Sequence, residues 1–513
     1  MAVNREEILD LCRTNPEAIV DIIERQDRII TQLTEKIVQL EARITELEAR
    51  LNRNSRNSSQ PPSMDGYRLS QSPRKKGEKP PGGQKGHKGQ TLELVENPAK
   101  IEGHSVMTCK GCGASLEDEK PVKVERRQVY DTEFKIIVTE HRAEPKQCPH
   151  CGRVNRAEFP SDVQFPVQYG RNLKALMVYL CLYQFVPYDR VRETFTDIFG
   201  HSLSTGTLVN AVQDCHQNLA GVEEQIRELL TEAQVLHVDE TGMRVTGIRQ
   251  WLHVASTDLL TWYGHHSKRG NLATDDMQIL PRFKGTMVHD FWAPYLRYPS
   301  RHAFCNAHLL RELKGISENY HQSWCEELHA LILEIKGEGD SVSGHSRSLL
   351  SHKMAIFQDR YFRILENGLN EIPIPANSDF LGKRGPKKQS KAKNLIDRCI
   401  LFQREILSFM HNFSIPFSNN QADRDSRMVK LQQKISGTCR SEEGAASFCR
   451  IRGYLSTVKK NDTLVLESLV NAFQGNPFTP ICSHKTGGIV TKKDILSDTG
   501  MGLEAFSATW FTP

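Results

Sequence analysis

The chain has 513 residues, of which 38% are hydrophobic and 25% are charged, so we expect a globular protein of roughly two to four domains. The net charge of +5 is too small to indicate nucleic-acid binding by itself, and no apolar run reaches the length of a membrane-spanning helix. The 13 cysteines mostly stand singly in apolar segments, and the N-terminus carries acids where a signal peptide needs basic residues. Both features are typical of a cytoplasmic protein without a disulfide framework.

A heptad repeat of apolar residues covers residues 23–51. One heptad position holds Ile23, Ile30, Ile37, Ile44 and Leu51, and the other holds Leu33, Leu40 and Leu47, with Gln26 as the single polar break. This pattern favours a parallel coiled-coil dimer, in which Lys36 would meet Glu41, and Arg43 would meet Glu48, across the pair. An intramolecular helical hairpin is the alternative. We therefore assign residues 1–53 to an N-terminal helix and coiled coil.

Residues 54–98 are rich in Pro, Gly and Ser and are predicted to form a disordered linker. Their basic residues are opposed only by Glu78: Arg74, Lys75, Lys76, Lys79, Lys85 and Lys88. Such clusters favour binding to a phosphate backbone, although a solvated linker needs the same composition.

Two pairs of cysteines follow, in a segment that we assign to residues 99–160. The pairs are Cys109 with Cys112 and Cys148 with Cys151, and each is followed by a glycine, Gly113 or Gly152. Four thiolates in two such turns are typical of a structural zinc site, brought together by an intervening hairpin. His150 lies inside the second turn and is the alternative fourth ligand.

Residues 161–230 are predicted to be helical, because apolar residues such as Leu173 and Met177 recur at helical spacing. Ser204 and Thr207 are candidate caps for a helix that follows Gly200–Gly206, which gives the segment the outline of a helix–turn–helix. DNA binding and plain packing both fit, and we favour packing.

Residues 231–470 alternate strand-like runs with turns. The runs are VLHVD, RQWLHVAS, LLTWYGHH, TMVHD and HAFCN, with a helix expected around Asp275–Leu280. Residues 324–369 have a helical pattern and indicate a helical insertion over about residues 315–400. This insertion carries a basic run that includes Lys387, Lys388, Lys391 and Lys393. Residues 471–513 have little pattern and are assigned to a tail.

Three acids lie at sequence positions from which their side chains can meet at one point in the fold. Asp239 and Asp290 each end a β-rich apolar run, and Asp423 follows a turn at the start of a basic helix. Carboxylates from strand ends and a nearby helix can bind two Mg²⁺ ions together with a substrate phosphate, as phosphoryl transfer requires. Arg424 and Arg427 flank the third acid and are candidate phosphate contacts, or else exposed helix positions. Taken singly, each acid could equally be an ordinary surface residue.

Three further residues lie close to these acids in the sequence. Glu240 should face away from Asp239 if the strand continues past it. Cys305 and His308 form a Cys-x2-His pair after the fifth strand. We expect this pair to orient the strand and the following helix rather than bind metal.

Several blocks, in this order, resemble the transposases of the insertion sequence 66 family: HVDETG, QWLHVAST, FKGTMVHDFWAPY, CNAHLLREL and SNNQADRDSRMVKLQQKISGTCRSEEGA. The resemblance extends upstream through PGGQKGHKG and covers about residues 20–470. It implies a multidomain α+β protein with an RNase H-like core, to which the predicted strand order is suited. It also implies that three acids, here Asp239, Asp290 and Asp423, cut and join DNA.

The chain departs from the family at two positions of the third motif. The family's third acid is normally Glu where this chain has Asp423, and an acid is replaced by Ser418. We therefore consider two functions, an active DNA transposase and a catalytically inactive relative that binds transposon ends as a dimer through its zinc module. A zinc-binding adaptor is a third option that leaves the acids unexplained. An active enzyme would work on the nucleoid of a prokaryote, with two catalytic Mg²⁺ ions, one structural Zn²⁺ ion and helper proteins from the same element.

Overall fold

The structure is a computed structural model that describes residues 5–58, 60, 65, 92–372 and 389–480. The chain divides into two compact units. The first comprises Met1–Tyr67, Phe165–Glu193 and Leu203–Pro513, and the second comprises Arg68–Gln164 and Thr194–Ser202. Helices and a sheet are both present, so the expectation of an α+β protein is confirmed. The basic cluster of residues 74–88, Lys387, Lys388 and the end of the tail lie outside the described residues.

The N-terminal segment is almost entirely helical, with α1 (Arg5–Thr14) and α2 (Pro16–Leu51). Asn15 starts α2 by accepting the backbone N–H of Ala18 through its side-chain oxygen at 3.3 Å. The helix then runs unbroken for 36 residues, so no hairpin forms within the heptad repeat. The apolar stripe of the repeat is exposed, as at Leu40, which is 62% exposed.

Among the residues of the second unit that the structure describes, β1 (Pro145–Gln147) and β2 (Val154–Arg156) form a short antiparallel hairpin. Predicted helices follow it along the chain: α3 (Arg171–Val178), which continues into a π-helical turn at Tyr179–Tyr183, α4 (Tyr188–Phe199), α5 (Thr205–Asn218) and α6 (Ala220–Thr231). Ser204 caps α5 by accepting the N–H of Thr207 at 3.0 Å, as its sequence setting predicts. Met177 is fully buried, and packing explains the apolar spacing in α3.

All five predicted strands occur, as β3 (Val235–Val245), β4 (Ile248–Ser256), β5 (Thr261–His266), β6 (Thr286–His289) and β7 (Arg301–Phe304). They form one sheet in the order β5-β4-β3-β6-β7. The first three pair antiparallel, whereas β3 with β6 and β6 with β7 are parallel. The expected helix lies slightly earlier than predicted, as α7 (Asn271–Asp276).

Six helices follow β7: α8 (Asn306–Tyr320), α9 (Ser323–Val342), α10 (Ser351–Glu371), α11 (Lys391–Leu401), α12 (Gln403–Ile406) and α13 (Ser408–His411). They enclose their own apolar core, which includes Trp324 and Tyr361. The hydroxyl of Tyr361 donates to the carbonyl of Cys399 at 2.9 Å, which satisfies the buried polar group. This helical layer separates Asp290 from Asp423 in sequence.

The chain then returns to the sheet through α14 (Asn420–Ser436) and α15 (Glu442–Lys460), and α16 (Val465–Phe473) follows. Helix α14 packs on β3 and β4, α15 packs on β5, and α16 packs on α3 and α5. The segment that we assigned to a tail therefore begins inside a packed helix, where Ala472 is fully buried.

The start of the predicted linker is folded, contrary to the sequence prediction. Residues 52–58 form an Asn-rich turn on α8, in which Asn57 is 7% exposed. The side-chain amide of Asn57 donates to the carbonyl of Asn52 at 3.0 Å and to Glu318 at 2.9 Å. The contact needs Gly315, because a Cβ there would lie 2.2 Å from the carbonyl oxygen of Asn57.

Candidate functional site

The parallel pairing of β3 with β6 brings the first two acids together. His237 pairs with Val288, so continuing the register sets Asp239 level with Asp290 on neighbouring chain segments about 4.8 Å apart. Asp290 directly follows β6, as predicted. Asp239 does not end its strand, because β3 continues to Val245; that part of the prediction is wrong.

The third acid, Asp423, lies in the first turn of α14, and Asn419 holds that end of the helix in place. The Asn419 side-chain amide donates to the carbonyl of Val238 at 2.8 Å, and its side-chain oxygen lies 2.8 Å from Nδ1 of His237. Because this oxygen is an acceptor, the His237 ring donates to it from Nδ1, and burial lowers the pKa of the ring. The backbone N–H of Asn419 also donates to the sulfur of Cys305 at 3.1 Å.

The three carboxylates act on one another electrostatically. Burial raises the pKa of Asp239 well above its ordinary value, and the charges of Glu240, Asp423 and Asp290 raise it further, while a hydrogen bond from Ser426 opposes them. Burial likewise raises the pKa of Asp290, with a further contribution from Asp423. The site therefore concentrates negative charge that the protein only partly compensates.

This donor set is chemically suited to a divalent cation. Carboxylate oxygens are the ligands that Mg²⁺ prefers, and a cation would relieve the repulsion that raises the pKa of Asp239 and Asp290. Within the described ranges, no group of three or more His, Cys, Asp or Glu side chains is arranged to hold a metal ion.

The Cys-x2-His pair lies directly beside these acids. Cys305 precedes α8 and is fully buried, and its thiol accepts the N–H of Asn419. His308 is close enough that its charge lowers the pKa of Asp290. Burial lowers the pKa of His308 itself, while Asp423 and Asp290 raise it. Cys305 thus connects the end of β7 with the start of α14, and the expected role of the pair in orienting the strand and the following helix stays a prediction.

Sequence reasoning did not identify the residues that hold Glu240. This side chain does face away from Asp239, as expected, and it is 2% exposed. Arg269 and the hydroxyl of Tyr295 both hydrogen-bond to it. Arg269 follows β5 by three residues, a position that no motif distinguishes in the sequence.

The candidate DNA-binding residues are exposed to different degrees. Arg424 and Arg427 are exposed on α14, where Arg424 donates to Gln421 at 2.7 Å. Lys391 lies 5.9 Å from the ring centroid of Tyr320, and Lys393 pairs with Asp397 one turn along α11.

The two cysteine pairs occupy turns with the same backbone structure. The N–H of Gly113 donates to the carbonyl of Cys109, and the N–H of Gly152 to that of Cys148, both at 2.9 Å. The glycines have φ angles of 76° and 72°, which favour glycine. Backbone pairing also closes both turns three residues after the second cysteine, between Thr108 and Ser115 and between Gln147 and Val154.

The same turns favour the ionised form of their first thiols. Backbone N–H groups of Cys112 and Gly111 lower the pKa of Cys109. Those of Cys151 and His150 lower the pKa of Cys148 in the same way. Since thiolates are the zinc-binding form, each turn by itself is suited to bind zinc. The structure does not bring the four cysteines together into one metal-binding group among the described residues.

Comparison with known families identifies two regions of the chain. The family model described as Transposase IS66 family matches residues 166–447, more than half of the chain. A model described as a family of unknown function (DUF6444) matches residues 12–93. No curated protein matches the chain. The first match contains the whole sheet, all three acids and α14, and the second contains α2 and the Asn-rich turn. No helix among the described residues has the length and apolarity needed to cross a membrane.

Proposed function

Because the chain belongs to the IS66 family of transposases, we propose that it cleaves transposon ends and joins them to target DNA at Asp239, Asp290 and Asp423. The observation that carries this proposal is the proximity of the three carboxylates. Asp239 and Asp290 are level on neighbouring chain segments, and burial and also the charge of Asp423 on α14 raise the pKa of both. A structural role would not require three acids to be packed against their own repulsion.

The sheet supports an RNase H-like core. Strands β3, β4 and β5 pair antiparallel, and β6 and β7 extend the sheet in parallel, in the order β5-β4-β3-β6-β7. The first acid lies on the central strand, and the second directly follows its parallel neighbour β6. Helix α14 packs on this central strand and supplies the third acid. The helices between β7 and α14 then form an insertion into the core.

In the proposed reaction, Asp239, Asp290 and Asp423 would hold two Mg²⁺ ions, with Asp239 contributed by the central strand. When bound, these ions would stabilise both the attacking and the leaving oxygen of an in-line displacement at phosphorus. Asn419 fixes the distance between α14 and β3, and the Cys305–Asn419 contact fixes the same helix to the end of β7. Arg424 and Arg427 are available to bind DNA phosphates. No protein nucleophile is required, so one site serves cleavage and joining.

Asp423 favours one second candidate function. The family places Glu at this position, and Asp reaches less far from the same helix. A chain that cannot cleave DNA would still bind transposon ends, as an inactive relative. Strand-cleavage assays with variants of Asp423 separate these two functions.

Two further features fit a transposase that works on paired DNA ends. The exposed stripe of α2 would form a parallel coiled-coil dimer, and the cysteine turns would bind one structural Zn²⁺ ion. Dimerisation would bring two ends to one complex. Helper proteins of the same element and a location on the nucleoid are also part of this proposal.

The proposal is tested with DNA that carries the inverted repeats flanking the gene. Wild-type protein should nick these ends and join them to a plasmid in the presence of Mg²⁺. Asp239→Asn and Asp290→Asn should bind the ends equally well but lose about 100-fold or more of the cleavage rate, which is roughly 3 kcal/mol of transition-state stabilisation. Asp359→Asn, an exposed carboxylate on α10, is the control. End binding without cleavage by the wild type would favour the inactive relative.

A further inference from the structure

A cluster of aromatic and charged side chains packs behind the two strand acids, around Glu240. We call it the Glu240 cluster, and it comprises Glu240, Trp251, Arg269, Trp292 and Tyr295. Successive side chains on a strand point to opposite faces. Asp239 therefore faces α14, where Ser426 hydrogen-bonds to it, whereas Glu240 faces this cluster.

Glu240 is held at both carboxylate oxygens. Arg269 donates from Nε and Nη2 to Oε1 at 3.0 and 2.5 Å. The hydroxyl of Tyr295, which is itself 2% exposed, donates to Oε2 at 2.8 Å. Three charge-assisted bonds fix the orientation of this side chain and of the strand segment that carries it.

Arg269 is in turn held between two indole rings. Its guanidinium carbon lies 4.8 Å from the ring centroids of both Trp251 and Trp292. The backbone N–H of Trp292 donates to Oδ1 of Asp290 at 3.0 Å. The guanidinium therefore connects the residue next to Asp239 with the residue that orients Asp290.

The location of Glu240 is unfavourable for a residue that only packs. Its carboxylate is buried, with a side chain 2% exposed, at the residue directly next to Asp239. A buried ion pair contributes little stability compared with well-packed apolar residues of similar volume. The bonds of Glu240 to Arg269, which follows β5, and to Tyr295, which follows β6, by contrast fix the position of its side chain between these two segments.

We propose that Glu240 and Arg269 are positioning residues. They set the distance between Asp239 and Asp290, and they do so from the face of the sheet opposite to α14. This inference rests on the proposed function, because it assigns these acids to metal binding. Neither residue contacts the reacting atoms. Their effect is on how well the two acids bind divalent cations together.

The test measures Mn²⁺ binding directly, by electron paramagnetic resonance of the free ion, alongside Mg²⁺-dependent cleavage. Arg269→Gln and Glu240→Ala should weaken Mn²⁺ binding by about 10-fold, in the range found for residues that orient metal ligands. Raising the Mg²⁺ concentration should restore part of the cleavage rate. Glu240→Gln retains the shape and most hydrogen bonds, so it should stay within about threefold of wild type.

Two controls make the result specific. Arg249 stacks on the same Trp251 at 4.6 Å, so Arg249→Gln should leave Mn²⁺ binding unchanged. Arg269→Lys keeps the charge but loses the forked donor geometry, so it should fold with a thermal midpoint close to wild type and still bind Mn²⁺ more weakly.

The outcomes separate this inference from the proposed function. Wild-type Mn²⁺ affinity in Arg269→Gln, Arg269→Lys and Glu240→Ala would overturn the positioning role while leaving the function intact. An equal loss in Glu240→Gln and Glu240→Ala would also overturn it, because the charge rather than the geometry would then matter. Wild-type Mn²⁺ affinity in Asp239→Asn would instead overturn the metal site itself, and this inference with it.

Discussion

The side-chain amide of Asn419 donates to the main-chain carbonyl of Val238 at 2.8 Å. This bond joins the start of the helix that carries Asp423 to the strand that carries Asp239, one residue before the acid. Asn419 is 2% exposed, and its oxygen and backbone N–H are also bonded, to His237 and Cys305. This buried amide therefore helps to hold Asp423 near Asp239, which lies far from it in the sequence.

Replacing Asn419 with alanine should destabilise the core and slow cleavage. The change leaves the Val238 carbonyl and the His237 Nδ1–H buried without partners, which should lower the free energy of unfolding by about 1–3 kcal/mol. Thermal unfolding followed by circular dichroism measures the loss. Asn420→Ala removes the exposed neighbouring amide and should change the midpoint little. Equal midpoints for the two variants would contradict this role of Asn419.

The strands were predictable because each carries an apolar run between turn residues, but the length of β3 was not. Beyond Asp239 the strand continues through Glu240 and Gly242, which are poor strand signals. It ends at a two-residue hairpin of Thr246 and Gly247, with φ angles of 50° and 81°. Such turns are recognised from Asn-Gly or Asp-Gly, so the Thr-Gly pair concealed the hairpin.

The Asn-rich turn shows a second limit of sequence reasoning. Residues 52–58 have the composition of a linker, and only their contact with Gly315 on α8 distinguishes them from one. Burial of polar side chains depends on partners that are distant in sequence, here Glu318. The same holds for Arg269, whose role depends on Glu240 and two indole rings. The family resemblance predicts the three acids, but it does not predict the residues that support them.

The stripe on α2 should mediate dimerisation. Leu40→Glu places a charge in the predicted coiled-coil seam and should shift the protein toward monomer in analytical ultracentrifugation. Val38→Glu makes the same kind of change outside the seam, at a residue of nearly equal exposure, 58% against 62%. It should leave the mass unchanged.

Removal of residues 1–51 should have the same effect as Leu40→Glu. This truncation ends before the Asn-rich turn, so it keeps the contact of the turn with α8 and removes the contacts that α2 makes with the same helix. If the truncated and full-length proteins sediment with the same mass, oligomerisation uses another surface.

The cysteine turns should bind a single zinc ion that supports local folding. Cys109→Ser and Cys148→Ser should each abolish zinc retention, because three remaining ligands hold the ion less tightly and the turns lose their cross-link. Metal analysis of protein purified without chelator measures the content. Cys12→Ser, at an exposed cysteine in α1, is the matched control. Native protein without zinc would refute this prediction.

DNA affinity should fall steeply with salt concentration. The variant neutralises four lysines together: Lys387, Lys388, Lys391 and Lys393. It should reduce the slope of log affinity against log salt by up to about 0.9 for each DNA phosphate that these lysines bind in the wild type. Lys393 already pairs with Asp397, so we expect its share of this reduction to be the smallest.

A charge-matched control tests this prediction. The control neutralises four basic residues that each pair with an acid on α9 or α10: Lys336, Lys353, Arg360 and Arg363. Because both sets contain four basic residues, the two sets of changes alter the net charge by the same amount. If both sets of changes lower the slope by the same amount, net charge rather than specific phosphate binding is responsible.

Asp423 decides whether the chain is an active enzyme. Asp is one methylene shorter than Glu, so from the same helix its oxygens fall short by about 1.5 Å, and Mg²⁺ tolerates little deviation from ligand distances of about 2.0–2.1 Å. A bridging water or a small shift of α14 would close this gap, because the start of the helix is held by hydrogen bonds rather than covalently. The retained acid, with Asn419 beside it, favours an enzyme that works at reduced rate.

The decisive comparison is strand cleavage by wild type, Asp423→Glu and Asp423→Ala with Mg²⁺. We expect the alanine variant to lose about 100-fold or more of the wild-type rate and the glutamate variant to match or exceed wild type. All three should bind transposon ends with similar affinity, since the change is confined to one carboxylate at the metal site. If wild type cleaves as poorly as Asp423→Ala while Asp423→Glu is active, the chain is a disabled copy whose remaining activity is DNA binding.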